Sequence, residues 1–187
     1  ANKVRIRGDV SSQYISALMM IAPALPQGLT LILEGKIGSR PYIEMTASLM
    51  RHFGALCAFN EDKVIIPHQA YKPASFTVES DWSAASYWFA FAALASEAEI
   101  LLPRLTLHSL QGDSKIVTIM ESLGVAAHLE NDLLKLRKIA SKDQLHWDFT
   151  HCPDLAQTVA VICAVKGVKG YFTGLESLRI KETDRIA

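Results

Sequence analysis

The chain has 187 residues, half of them hydrophobic and a fifth charged, with 19 Lys plus Arg against 19 Asp plus Glu. That composition can bury a core and belongs to a globular chain rather than a disordered one. A formal charge of zero gives no general pull on nucleic acid or an anionic membrane, so any anion must be gripped by a few placed residues.

The opening ANKVRIRG predicts a strand and not a secretory leader. GDVSSQYISALMMIA predicts a helix. The apolar stretch YISALMMIAPAL contains Pro23 and is too short to span a bilayer. LTLILEG predicts a strand, RPYIEMTASLMRHFGA an amphipathic helix stopped at Phe53-Gly54, and NEDKVIIP a closing strand.

The order then repeats. SFTVE, SDWSAASYWFAFAALA, AEILLPRL, SKIVTIMESLGVAA and ENDLLKLRK make a second copy, and LHWDF, CPDLAQTVAVICAV and KGYFTGL begin a third. Asp9, Asp81 and Asp154 stand ahead of the three first helices at intervals of about 72 residues. In the third copy a second helix is expected from about Arg179, and the chain stops about two turns into it, so an internal fragment is expected.

This alternation predicts an α/β chain of repeated β-α-β-α-β units, the last of them incomplete. SAASYWFAFAALA and LAQTVAVICAV are apolar nearly all round, which predicts helices buried on every side, with sheet outside and helices inside. The three cysteines, Cys57, Cys152 and Cys163, are odd in number and show no C-x-x-C spacing, so a reducing cytoplasm is expected. The six histidines match no zinc spacing, and no metal site is expected.

Four places carry candidate chemistry. Ser11 and Ser12 open a helix and cap it, or with Gln13 they offer neutral donors to an anion at the positive end of the helix dipole. Asp154 caps a helix, or acts as a general base at the rim of a dry one. Ser39, Arg40 and Tyr42 form a solvated loop before Pro41, or contact a polar ligand. Lys181 and Arg185 share a helix face at i and i+4, with Glu182 between them. They form a solvated charged face, or hold an anion beside a carboxylate that handles a proton.

In order and spacing, GDVSSQY, SRPY, SDWSAASY, SLQGD, PDLAQT and LRIKETDR resemble the EPSP synthase family, the 3-phosphoshikimate 1-carboxyvinyltransferases, over essentially the whole chain. SSQ alone is a weak signal, whereas KETDR preceded at this distance by PD and SSQY is a specific one. The resemblance implies two domains, each of three repeated units, in an inside-out α/β barrel arrangement. It places residues 1–78 as the last unit of one domain, and 79–187 as one full and one truncated unit of the second.

The implied reaction moves the enolpyruvyl group of phosphoenolpyruvate to the 5-hydroxyl of shikimate 3-phosphate and releases phosphate, with no metal and no organic cofactor. The resemblance assigns Ser11, Ser12, Gln13, Ser39, Tyr42, Asp154, Ser177 and Lys181 to shikimate 3-phosphate, and Gln13 and Arg185 to phosphoenolpyruvate. Asp154 is the implied base for the attacking hydroxyl, Glu182 the implied proton donor and acceptor, and Lys181 reaches the reacting centre. Ser177 stands where many members carry Asn, and Arg40 replaces a Lys.

The family's Lys-Ser-x-x-x-Arg stretch, NAGT loop, DHR and final Lys-Thr segments lie outside this sequence, so the chain alone is expected to be inactive. The expected partners are these two small molecules, with no nucleic acid and no membrane, in the cytoplasm. The whole protein is expected to be monomeric, with self-association open to the chain alone. Three rivals stand beside this reading, one of them a non-catalytic scaffold in a larger chain, against which the presence of Asp154, Lys181, Glu182 and Arg185 argues. Another is the related enzyme that transfers enolpyruvyl to UDP-N-acetylglucosamine, which depends on a loop cysteine. The third is an RNA-end-processing protein of related fold, which would need a basic face.

Overall fold

Five residues, Lys3–Arg7, form strand β1, and helix α1 (Ser12–Ile21) follows a tight turn. Strand β2 (Leu29–Glu34), helix α2 (Arg40–His52) and strands β3 (Ala58–Asn60) and β4 (Lys63–Ile66) complete the first repeat. The computed structural model describes residues 2–35, 37, 40–180 and 183–186. Contacts divide the chain into two units, one of Ala1–Thr77 with Arg179–Ala187 and one of Val78–Leu178.

In the first unit, β1 runs parallel to β2, β4 lies antiparallel on the other side of β2, and β3 closes the edge. Alternation along β2 buries Leu29, Leu31 and Leu33 on one face, as a two-residue period requires. The helices cover that face. Ile15 and Met19 of α1 meet Ile43, Ala47 and Met50 of α2, and Val64 and Ile66 of β4 join the same core. Gly28 makes the turn into β2 at φ +61°, and a Cβ there would sit 2.2 Å from the Ile66 carbonyl oxygen. Only glycine fits.

The second unit holds helix α3 (Trp82–Leu94), strand β5 (Glu99–Pro103), helix α4 (Ile116–Ser122), and strands β6 (Val125–Glu130) and β7 (Leu133–Lys138). Strand β8 (Gln144–Asp148), helix α5 (Leu155–Lys166) and strand β9 (Lys169–Thr173) follow. β7 pairs antiparallel with β5 and β6, while β8 and β9 form a parallel pair. Trp82 and Phe89 of α3, Ile119 and Met120 of α4, and Val159 and Ile162 of α5 share one core with Leu134 and Leu136 of β7. Two lysines cap helix ends there. Lys166 Nζ donates to the Leu123 carbonyl at 2.7 Å, and Lys138 Nζ donates to that of Ala95. Cations suit these C-terminal carbonyls.

The chain is α/β, with a full β-α-β-α-β-β first copy. Three local expectations need correcting. SFTVE is not a strand: among the described residues 67–81 carry no ladder. Ser80 instead bonds to the end of β5, its N–H to the Arg104 carbonyl at 2.8 Å and its hydroxyl to that of Pro103 at 2.9 Å. Pro103 has no N–H to give a ladder, and Arg104 turns away at φ 57°.

The helix expected from about Arg179 is also absent from the described residues. A short 3₁₀ turn spans Glu176–Ile180. Asp184 then takes the Ile186 N–H at 3.0 Å and pairs with Arg179 at 3.3 Å, a local alternative to helix that aspartate favours.

Finally, α3 and α5 are not buried on every side. Tyr87 is 62% and Phe91 65% exposed on α3, and Val165 is 66% exposed on α5. Within this chain α3 packs against α4, α5 and the β5–β7 sheet, and α5 against α3 and β9, which leaves the rest of each helix surface exposed.

Candidate functional site

The first candidate group is built by the turn after β1. Arg7 donates to both oxygens of Asp9, at 2.9 and 2.5 Å. Arg7's hydrogen bond holds the Asp9 carboxyl below the usual carboxylate range. Asp9 is therefore occupied, and Ser11 caps α1 in its place, its hydroxyl accepting from the Gln13 N–H at 3.4 Å. Ser12 is the first helical residue, and Gln13 is exposed. No acidic residue lies in the first turn of α1, so no carboxylate of that turn competes with an anion at the helix start.

Helix α2 begins at Arg40, whose Nε donates to Glu44 one turn on at 2.8 Å. Tyr42 is half-buried in the same first turn. Its carbonyl accepts from the Thr46 hydroxyl at 2.9 Å, and Thr46 Oγ1 lies 2.8 Å from Ser16 Oγ on α1. Ser16 is one turn beyond Ser12, and Thr46 one turn beyond Tyr42. This contact therefore places the starts of α1 and α2 at the same end of the first unit. Ser11, Ser12, Gln13, Arg40 and Tyr42 gather there; Ser39 lies outside the described residues.

In the second unit, Asp81 behaves as a cap should, accepting from the N–H groups of Ser83 at 2.7 Å and Ala84 at 3.1 Å. Asp154 holds the same position before α5, but its side chain makes no capping bond. It is half-buried behind Pro153, with a helical φ of −69° and ψ of −17°. The capping reading thus holds for Asp81 and not for Asp154. Ser177 is half-buried in the 3₁₀ turn. Arg185 is half-buried and groups with the first unit. Lys181 and Glu182 lie outside the described residues, and no helix face joining Lys181 to Arg185 is described.

Sequence reasoning passed over a polar cluster that sets the start of α3. Glu79 accepts from Trp82 Nε1, the Thr106 N–H and the Thr106 hydroxyl, each at 3.0 Å, from Ser109 Oγ at 2.6 Å, and from Gln111 Nε2 at 3.1 Å. Burial alone would raise this carboxyl; the bonds from Ser109, Trp82 and Thr106 outweigh it and hold the group below its ordinary value. Gln111 also takes the Trp82 N–H at 2.9 Å, and Ser83 donates to the buried Asp113. The available signal was SLQGD, three polar residues at alternating positions in a loop. No local pattern pairs them with Glu79, about thirty residues earlier.

Among the described residues no group of His, Cys, Asp and Glu could hold a metal ion. No helix among them is long and apolar enough to cross a membrane.

Against known proteins, the profile of EPSP synthase (3-phosphoshikimate 1-carboxyvinyltransferase) matches residues 1–187. A 3-phosphoshikimate 1-carboxyvinyltransferase of Bacteroides fragilis is 49% identical over 187 residues, which are 99% of this chain and 46% of that protein. Another, of Methanococcus maripaludis, is 35% identical over 193 residues, covering 100% of this chain and 44% of that protein. The chain thus spans about half the length of the curated relatives it matches. A solved structure of EPSP synthase from Acinetobacter baumannii superposes with a TM-score of 0.67 at 16% identity, covering 99% of this chain and 43% of that one. At that identity the likeness speaks for the fold.

Proposed function

The chain belongs to the EPSP synthase family, and from that premise we propose that the protein carrying it transfers the enolpyruvyl group of phosphoenolpyruvate to the 5-hydroxyl of shikimate 3-phosphate, releasing phosphate. The protein works in the cytoplasm on these two small molecules, as a step toward chorismate and the aromatic amino acids. In this reading residues 1–78 are the last repeat of one domain, and 79–187 belong to the second.

The observation that carries the reading is the pair of helix starts in the first unit. The start of α1 offers the positive end of its dipole, two hydroxyls and the Gln13 side-chain amide, with no acidic neighbour in its first turn. The start of α2 brings Arg40 and Tyr42 to the same end, as the Ser16–Thr46 contact requires. A phosphate on a polyhydroxylated ring needs this set: amides and hydroxyls for the phosphate and a phenol against the ring. We assign Ser11, Ser12, Gln13, Ser39, Tyr42, Asp154, Ser177 and Lys181 to shikimate 3-phosphate, and Gln13 and Arg185 to phosphoenolpyruvate.

The chemistry needs three things from these side chains. Two multiply charged anions must approach, and Lys181 and Arg185 offset their repulsion. The 5-hydroxyl must lose its proton as its oxygen attacks, and Asp154 accepts it. The methylene carbon must gain a proton and later lose one as phosphate leaves. Glu182 does both, so acid and base are separate carboxylates.

A calorimetric titration of the chain with shikimate 3-phosphate tests the assignment. The expected result is saturable binding that weakens at least about tenfold, the loss of one good polar contact, in both Ser12→Ala and Lys181→Ala. Equal affinity in the parent chain and both variants would overturn it.

A further inference from the structure

A part-buried polar contact joins the two helices at the edge of the first unit's core. Ser16 and Thr46 meet across the α1–α2 interface among Ile15, Met19, Ile43, Ala47 and Met50, and Thr46 is 8% exposed. Thr46 is buried and Ser16 half-buried, and such a bond adds only about 0.5–1.5 kcal/mol net, so an apolar pair of the same shape would lose little stability.

The direction of the bonds is fixed by counting protons. Thr46 spends its proton on the Tyr42 carbonyl at 2.9 Å, so Ser16 must donate to Thr46 Oγ1 at 2.8 Å. The chain of bonds runs from α1, one turn beyond Ser12, to the backbone of Tyr42 itself. The second unit has a looser hydroxyl contact, between α3 and α5 and with its proton spent within α3. Ser86 stands in the same relation to the cap Asp81 as Ser16 does to the cap Ser11. It donates to the Ser83 carbonyl at 2.7 Å, and its oxygen lies 3.4 Å from Thr158 Oγ1, one turn into the helix that Asp154 heads.

We propose that Ser16 and Thr46 are positioning residues: their hydroxyl latch fixes the start of α1 against the start of α2, so that Ser12 and Tyr42 hold one phosphorylated ring substrate together. This rests on the function proposed above, and adds to it a pair that touches no substrate. A hydrogen bond has a set length and direction, whereas apolar side chains tolerate sliding. Fixing two helix starts to a fraction of an ångström therefore calls for the former.

Thr46→Val keeps the shape and removes the hydroxyl; Thr46→Ser keeps the hydroxyl. Calorimetric titration with shikimate 3-phosphate and thermal melting are run on the parent chain, both Thr46 variants, Ser16→Ala and the Ser16→Ala/Thr46→Val double variant. The expected result is a Kd about tenfold weaker in Thr46→Val and Ser16→Ala, no further loss in the double variant, and recovery to within about twofold in Thr46→Ser. Melting should shift by less than about 3 °C throughout.

An unchanged Kd in Thr46→Val, with the parent binding, would overturn the latch and leave the proposed function standing. Additive losses, failure of Thr46→Ser to rescue, or a Kd change that tracks melting would mean ordinary packing and overturn it too. A parent chain that takes up no shikimate 3-phosphate would remove the binding assignment and the latch together.

Discussion

Replacing Glu79 by Gln tests whether the start of α3 depends on a carboxylate or merely on a polar side chain. One carboxylate oxygen accepts from Trp82 and twice from Thr106; the other accepts from Ser109 and Gln111. An amide of the same shape has one oxygen. Facing it toward Trp82 and Thr106 sets its NH₂ against the Ser109 hydroxyl and the Gln111 amide. Ser109 can turn and accept, and Gln111 keeps its 2.9 Å bond to the Ser80 carbonyl.

The net loss is then one charge-assisted bond and the charge behind the others. That is worth about 1.5–3 kcal/mol, taken at the lower end because the cluster is partly solvated. We expect Glu79→Gln to cost about 2 kcal/mol in urea unfolding followed by tryptophan fluorescence, with the slope unchanged. The pH dependence has a fixed sign. Glu79 titrates lower in the folded state than in the unfolded one, so between those two values the unfolded chain binds more protons. The advantage of the parent over Glu79→Gln is therefore full above the ordinary glutamate range and disappears as pH falls through the lowered value. A cost below about 0.5 kcal/mol at neutral pH, or a difference that persists at pH 2, would refute the reasoning.

Two further outcomes follow from backbone geometry and burial. Gly28→Ala should cost at least about 2 kcal/mol in the same urea assay, since φ is +61° and the new methyl meets the backbone of Ile66, Pro67 and His68. A loss under about 0.5 kcal/mol would show that the turn into β2 can rearrange. Burial pushes the Cys152 thiol up to about 11 and raises those of Cys57 and Cys163 as well. At pH 8 only about one Cys152 in a thousand is then thiolate, so iodoacetamide should label half-buried Cys57 first and reach Cys152 and Cys163 only in denaturant. Peptide mass spectrometry reads the order, and labelling of Cys152 before Cys57 in native buffer would contradict it.

The sequence by itself determined the repeat, most of the element order and the family. These are local or periodic properties: β2 alternates every second residue, α2 carries its apolar stripe every three to four, and LRIKETDR is contiguous. It also determined that hydroxyls and amides stand at the start of α1, because a helix start is written in the few residues around it. Tertiary structure alone decided what those residues do to one another. Asp9 and Asp81 hold matching positions, yet Arg7 claims the first while the second caps its helix. Asp81 and Asp154 both precede apolar helices, yet only Asp81 bonds to the amides behind it. SFTVE has strand composition, but Pro103 ends the ladder it would join, and Glu79 within it becomes a hydrogen-bond hub instead. Thr46 reads as one more polar residue on an amphipathic helix until packing sets it against Ser16. Composition and period fix which face of an element turns inward. Which polar groups meet once it has turned depends on distances between elements far apart in the chain, and no local pattern encodes those distances.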